Sequence, residues 1–127
     1  MPGSIDDYFR NLLDVIAACT VVRTSELNFD KRSSMVGFVK GAVFFTDEST
    51  LHIRELIDVR KTSVRVMYVY HYQDKMGELI FRYDNTPHHA ELASFPHHKH
   101  TANHVDSIDG ELPEWSELLS EIEVYVI

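Results

Sequence analysis

Residues 63–84 read SVRVMYVYHYQDKMGELIFRYD. Tyr68, Tyr70 and Tyr72 alternate with Met67, Val69 and His71, and Leu79, Phe81 and Tyr83 alternate with Ile80, Arg82 and Asp84. That period of two marks strands with one buried face. Asp74 to Gly77 form a polar break ending in glycine, so a hairpin with a four-residue turn is expected. In that register Gln73 faces Glu78, Tyr72 faces Leu79, Tyr70 faces Phe81 and Tyr68 faces Tyr83, which turns the tyrosines to the core. The other face carries His71 beside Ile80, Val69 beside Arg82 and Met67 beside Asp84, with Arg65 further along. One apolar and one cationic face imply an antiparallel sheet covered on one side.

Upstream, residues 20–29, 34–45 and 51–59 are also rich in β-branched and aromatic side chains. The breaks DKRS, TDES and RKT are too short for crossover helices, which leaves an antiparallel meander. In the third run Leu51, Ile53, Ile57 and Val59 take the core side, and His52 and Arg54 the other. Ile5, Tyr8, Phe9, Leu12, Leu13 and Ile16 keep helical spacing, and Ser4 with Asp7 resembles a capping box. Near the other end, Leu112, Trp115, Leu118, Leu119 and Ile122 form a buried stripe. Pro113 suits the first turn, and Glu114 and Glu117 complement the positive helix end. The expected fold is α+β in one domain: a helix over about 4–18, a five-stranded antiparallel meander sheet over about 20–84, a His-rich loop over about 85–108, and a helix over about 112–123.

The chain has 127 residues, 44% of them hydrophobic, enough for a core without staples. Its net charge of −8 argues against a broad grip on nucleic acid, although Arg54, Arg60, Lys61, Arg65, Arg82 and Lys99 gather in the middle. A lone Cys19 in an apolar run excludes an internal disulfide and reads as a buried hydrophobe. No run approaches the ~20 apolar residues of a membrane span. The first residues lack the basic start of a signal peptide, so a cytoplasmic location is expected.

Tyr83 to His104, YDNTPHHAELASFPHHKHTANH, holds six of the eight histidines. Imidazoles near neutrality move protons or bind metals. His97, His98, His100 and His104 resemble metal-ligand spacing, and His97, His100 and His104 would be the ligands of a divalent ion such as zinc. Without a metal, His97, His98 and His100, with His88 and His89, offer the acid and base that phosphodiester cleavage needs. Lys99 and Arg82 would meet phosphate charge, Asp84 would orient a histidine, and Arg54 and Arg65 would extend the substrate surface. No cofactor is required by that chemistry. Pro87 and Pro96 stiffen the backbone before each histidine pair.

The pattern YDN.PHH followed by FPHHKH, ahead of a short acidic helix, resembles the TumE family of toxin-antitoxin proteins over roughly residues 68–123. The resemblance implies an endonucleolytic toxin neutralised by a small antitoxin, which a basic helix-turn-helix protein encoded adjacently would fit. Residue by residue it falls on Tyr83, Asp84, Asn85, Pro87, His88, His89, Pro96, His97, His98, Lys99 and His100, and it adds Tyr83 and Asn85 to the expected substrate contacts. Three readings stand open at this point. One is a nuclease toxin, with RNA favoured over DNA; another is a non-catalytic module binding zinc or nickel through its His-rich loop. The third is an interaction domain that dimerises through an exposed sheet face or edge.

Overall fold

A computed structural model describes residues 3–85, 98–101, 105–107 and 112–126. Helix α1 spans Ile5–Ala18, and the Ser4 side chain caps it by accepting a hydrogen bond from the Asp7 amide at 3.2 Å. Strands β1 (Val22–Lys31), β2 (Val36–Phe45), β3 (Thr50–Asp58), β4 (Arg65–Gln73) and β5 (Leu79–Asp84) follow, then β6 (His98–His100), β7 (Val105–Ser107) and helix α2 (Trp115–Val126). The sheet order is β1-β2-β3-β4-β5-β6-β7, each neighbouring pair antiparallel. The α+β meander with a helix at either end is thus as expected, with more strands than the five read from sequence. The additional strands are three residues each and lie within the stretch expected as a loop. Three residues are too few for an alternation to declare itself.

Helix α2 begins later than Leu112. Leu118 N–H donates to Glu114 O at 2.9 Å, and the Glu114 amide is held by the Glu117 side chain at 3.2 Å, so Pro113 lies just ahead of the first turn. Both helices cover one face of the sheet. Phe9 of α1 packs on Phe29 of β1, ring centroids 4.5 Å apart, and Trp115 of α2 meets Tyr70 of β4 edge-on at 5.2 Å. Gly37 makes the α1 contact possible, because a Cβ there would stand 2.6 Å from the side chains of Ile5 and Phe9.

The β4–β5 hairpin keeps the expected faces in a different register. Tyr72 pairs with Phe81, His71 with Arg82, Tyr70 with Tyr83 and Val69 with Asp84. Gly77, at φ 84°, donates to Asp74 O at 3.0 Å and closes the turn. Gln73 then pairs with Leu79, and the step to Tyr72–Phe81 leaves Ile80 as an extra residue. Turn and bulge together shift the pairing by two, and an even shift preserves which side each residue faces. Tyr68, Tyr70, Tyr72 and Phe81 are buried under the helices, while His71, Arg82 and Asp84 share the outer face.

A second bulge corrects the placement of Arg65. Leu56 pairs with Met67 but Ile57 with Arg65, leaving Val66 unmatched. One extra residue reverses the face, so Arg65 turns inward beneath α2. Its guanidinium donates to the Tyr70 hydroxyl at 3.2 Å and to Pro113 O at 2.8 Å.

The alternation that buries Leu51, Ile53 and Ile57 also buries Glu55, which is 0% exposed in the seam where α1, β4 and α2 converge. It accepts hydrogen bonds from Tyr8 of α1 at 3.0 Å, from the indole N–H of Trp115 at 3.0 Å, and from the Tyr70 hydroxyl. Burial raises its pKa, opposed by these donors and by Arg65.

Candidate functional site

On the outer face, the ladder lines up two cross-strand rows. One runs His52, His71, Arg82, His100 across β3 to β6; the next runs Arg54, Val69, Asp84, His98. The register therefore collects residues 52 to 100 into one patch. Asp84 and His98 are each 1% exposed, and Asp84 Oδ1 lies 2.7 Å from His98 Nε2. Asp84 Oδ2 lies 2.9 Å from Arg82 Nε and 3.5 Å from His100 Nε2. The His98 and His100 rings stand nearly perpendicular, centroids 4.7 Å apart. A buried carboxylate thus sits among a guanidinium and two imidazoles.

Arg82 reaches the other way too, with Nη1 3.4 Å from His71 Nδ1. Burial, with the Arg82 guanidinium and His52 beside it, pushes the His71 imidazole below its ordinary value. A neutral imidazole near pH 7 can accept a proton. The His52 and His71 rings are 6.0 Å apart.

Asp84, Arg82, His98 and His100 are therefore brought together. Lys99 is not: alternation in β6 turns it to the helix face opposite Tyr83, where Nζ lies 2.8 Å from Glu121 Oε1 of α2 and 4.8 Å from the Tyr83 ring centroid. Tyr83 is likewise on the helix face, donating through its hydroxyl to Glu121 at 2.9 Å. Asn85 is engaged with backbone: Oδ1 accepts from the Tyr68 amide and Nδ2 donates to Val66 O, both at 3.0 Å. Its side chain prolongs the β4–β5 ladder beyond Asp84. Arg54 is exposed on the outer face, and Arg65 faces inward. His88, His89, His97 and His104 lie outside the described residues.

The chain matches the family model described as Toxin TumE over residues 12–127. It belongs to the TumE toxin family. Membership carries a cognate antitoxin as partner. No curated protein and no solved structure matches the chain. No described helix is long and apolar enough to cross a membrane.

Within this TumE-family chain, the residues able to hold a metal among those described are Asp84, His98 and His100, whose ligand atoms all lie within 4.8 Å of one another. Of the ligands expected from sequence, His100 is among them, as is His98 of the wider spacing, while His97 and His104 lie outside the described residues. One participant, His71, is not assigned a role by the sequence alone. The register expected from sequence sets His71 beside Ile80, and the two-residue shift makes Arg82 its partner instead.

Proposed function

We propose that the protein is an endoribonuclease toxin that cleaves RNA by proton transfer between imidazoles. The observation that carries this reading is the single row in which His71 and His100 flank Arg82, with Asp84 buried beside it. Neighbouring strands are about 4.8 Å apart, so the two imidazoles straddle a gap of roughly 10 Å between backbones, wide enough for a phosphate between their rings. His71, held neutral, removes the proton of the 2′-hydroxyl, which attacks phosphorus. Arg82 stabilises the charge on the non-bridging oxygens. His100, beside the Asp84 carboxylate, gives a proton to the departing 5′-oxygen. The P–O5′ bond breaks, leaving a 2′,3′-cyclic phosphate and a 5′-hydroxyl. His98 is too buried to meet substrate and acts as a positioning residue for Asp84. RNA as target fits work in the cytoplasm, and the expected antitoxin remains a basic helix-turn-helix protein encoded adjacently.

The test is incubation of pure protein with labelled RNA, with and without chelator. Cyclic-phosphate ends, indifference to chelator and a block by 2′-deoxy substitution at the cleaved position support the reading. Cleavage of the deoxy substrate overturns it. A second reading is favoured by the donor set of Asp84, His98 and His100, which suits zinc. An ion there would supply Lewis acidity or an activated water. Stoichiometric zinc surviving dialysis of untagged protein, with loss of cleavage in chelator and linear phosphate ends, selects it instead.

A further inference from the structure

Lys40 of β2 and Arg54 of β3 are direct cross-strand partners, and both are exposed. Like charges in that position weaken a sheet. Among the described residues, neither side chain has a hydrogen-bond or ion-pair partner to offset the repulsion. The outer-face carboxylates on β1, Glu26 and Asp30, pair with Ala42 and Phe38 and so each sit diagonally from Lys40; Asp30 is taken by Arg32 at 2.8 Å, and neither forms an ion pair with Lys40 among the described residues. A chain of net charge −8 has acidic residues in excess, yet leaves this pair of cations open.

Their position gives the pair a use. The row that holds them continues through Val69 to Asp84 and His98, on the same face as His71, Arg82 and His100. By strand spacing Arg54 stands about 10 Å and Lys40 about 14 Å from Asp84. The intervening outer-face positions on β3 and β4 are His52, His71 and Val69, with no carboxylate to repel a polyanion. We infer that Lys40 and Arg54 form a second phosphate subsite, which grips the backbone of single-stranded RNA one or more nucleotides away from the phosphate held at the His71–Arg82–His100 row. The inference rests on the ribonuclease reading and adds to it the direction of the strand, across the sheet from β6 towards β2. Two phosphate contacts on an open sheet recognise a flexible single strand by charge and leave base identity unread.

The experiment compares the full-length protein with its Lys40→Ala/Arg54→Ala double variant, using fluorescence anisotropy on a labelled single-stranded RNA oligonucleotide over a range of salt. Losing two contacts should weaken binding about tenfold at moderate salt and reduce the slope of log affinity against log salt by about 1.4. The charge-retaining Lys40→Arg/Arg54→Lys variant should bind as the parent does. Cleavage of the oligonucleotide should show raised KM with unchanged kcat. A dinucleoside monophosphate has a single phosphate, already taken by the cleavage row, so its turnover should not change. Equal affinity and equal salt slope in the double variant overturn the inference while leaving the ribonuclease reading intact. Binding that depends on the pair, in a protein that cleaves no RNA, overturns the ribonuclease reading and leaves the subsite standing.

Discussion

Glu55 and Asp84 are both buried carboxylates on sheet strands, and they sit on opposite faces. Glu55 is met by neutral donors from three elements, Tyr8, Tyr70 and Trp115, with the charged Arg65 one bond further out at the Tyr70 hydroxyl. Asp84 is met directly by a guanidinium and two imidazoles, all from β5 and β6. The first arrangement ties distant parts of the chain together. The second concentrates titratable groups next to accessible surface. Burial alone does not make a carboxylate functional; the chemistry of its neighbours does.

Substitutions should separate the two roles. His100→Ala is expected to lower kcat by about a thousandfold, within the usual range for a lost general acid, while the unfolding midpoint in urea changes little. An unchanged kcat would move the acid elsewhere. Glu55→Ala should do the reverse. It leaves the buried Tyr70 hydroxyl, the half-buried Tyr8 hydroxyl and the Trp115 indole N–H without their acceptor and should cost roughly 3 kcal/mol or more of stability, with activity per folded molecule retained. Glu55→Gln keeps an acceptor and should cost less.

The pH dependences should differ as well. The raised Glu55 pKa means that the folded state binds its proton more tightly than the unfolded state. Its stabilising contribution is therefore full below the ordinary carboxylate range and falls as pH rises through the folded value, by at most about 1.4 kcal/mol per pH unit. Urea titrations of the parent relative to Glu55→Gln, from acid to neutral pH, check the sign. For His71 the readout is rate. The rising limb of kcat/KM should lie below the ordinary imidazole range, move to higher pH in Arg82→Gln, and vanish in His71→Gln. The smallest effect is expected from Lys99→Met. Its ion pair with Glu121 is about 30% exposed on either side and lies on the helix face, so stability should fall by about 1 kcal/mol or less and kcat should not move.

The alternation of Tyr68, Tyr70 and Tyr72 was enough to assign faces, because a buried aromatic row tolerates no odd slip. It was not enough to assign pairs. Bulges arise from turn closure and sheet twist, which leave little trace in composition, so His71 and Arg82 were read as separate. The single unmatched Val66 likewise hid the inward turn of Arg65. His98 and His100 were legible as chemistry through their density in the chain. Their edge position against β5 was not, since a three-residue strand is specified by its partner's free edge. Lys99, between them in sequence, follows from that pairing to the opposite face.

Strict chain order in the sheet has a temporal side. Each strand can add only to the edge left by the one before it, and domains emerging from the ribosome organise from their N-terminus as roughly 5–20 residues appear per second. Strands β1 to β5 can pair while β6 is still unsynthesised, and that early product contains His71, Arg82 and Asp84 but neither His98 nor His100. On the proposed mechanism, a nascent chain lacks its general acid until residue 100 has docked. That leaves an interval, set by translation itself, in which a neutralising partner can be made ready.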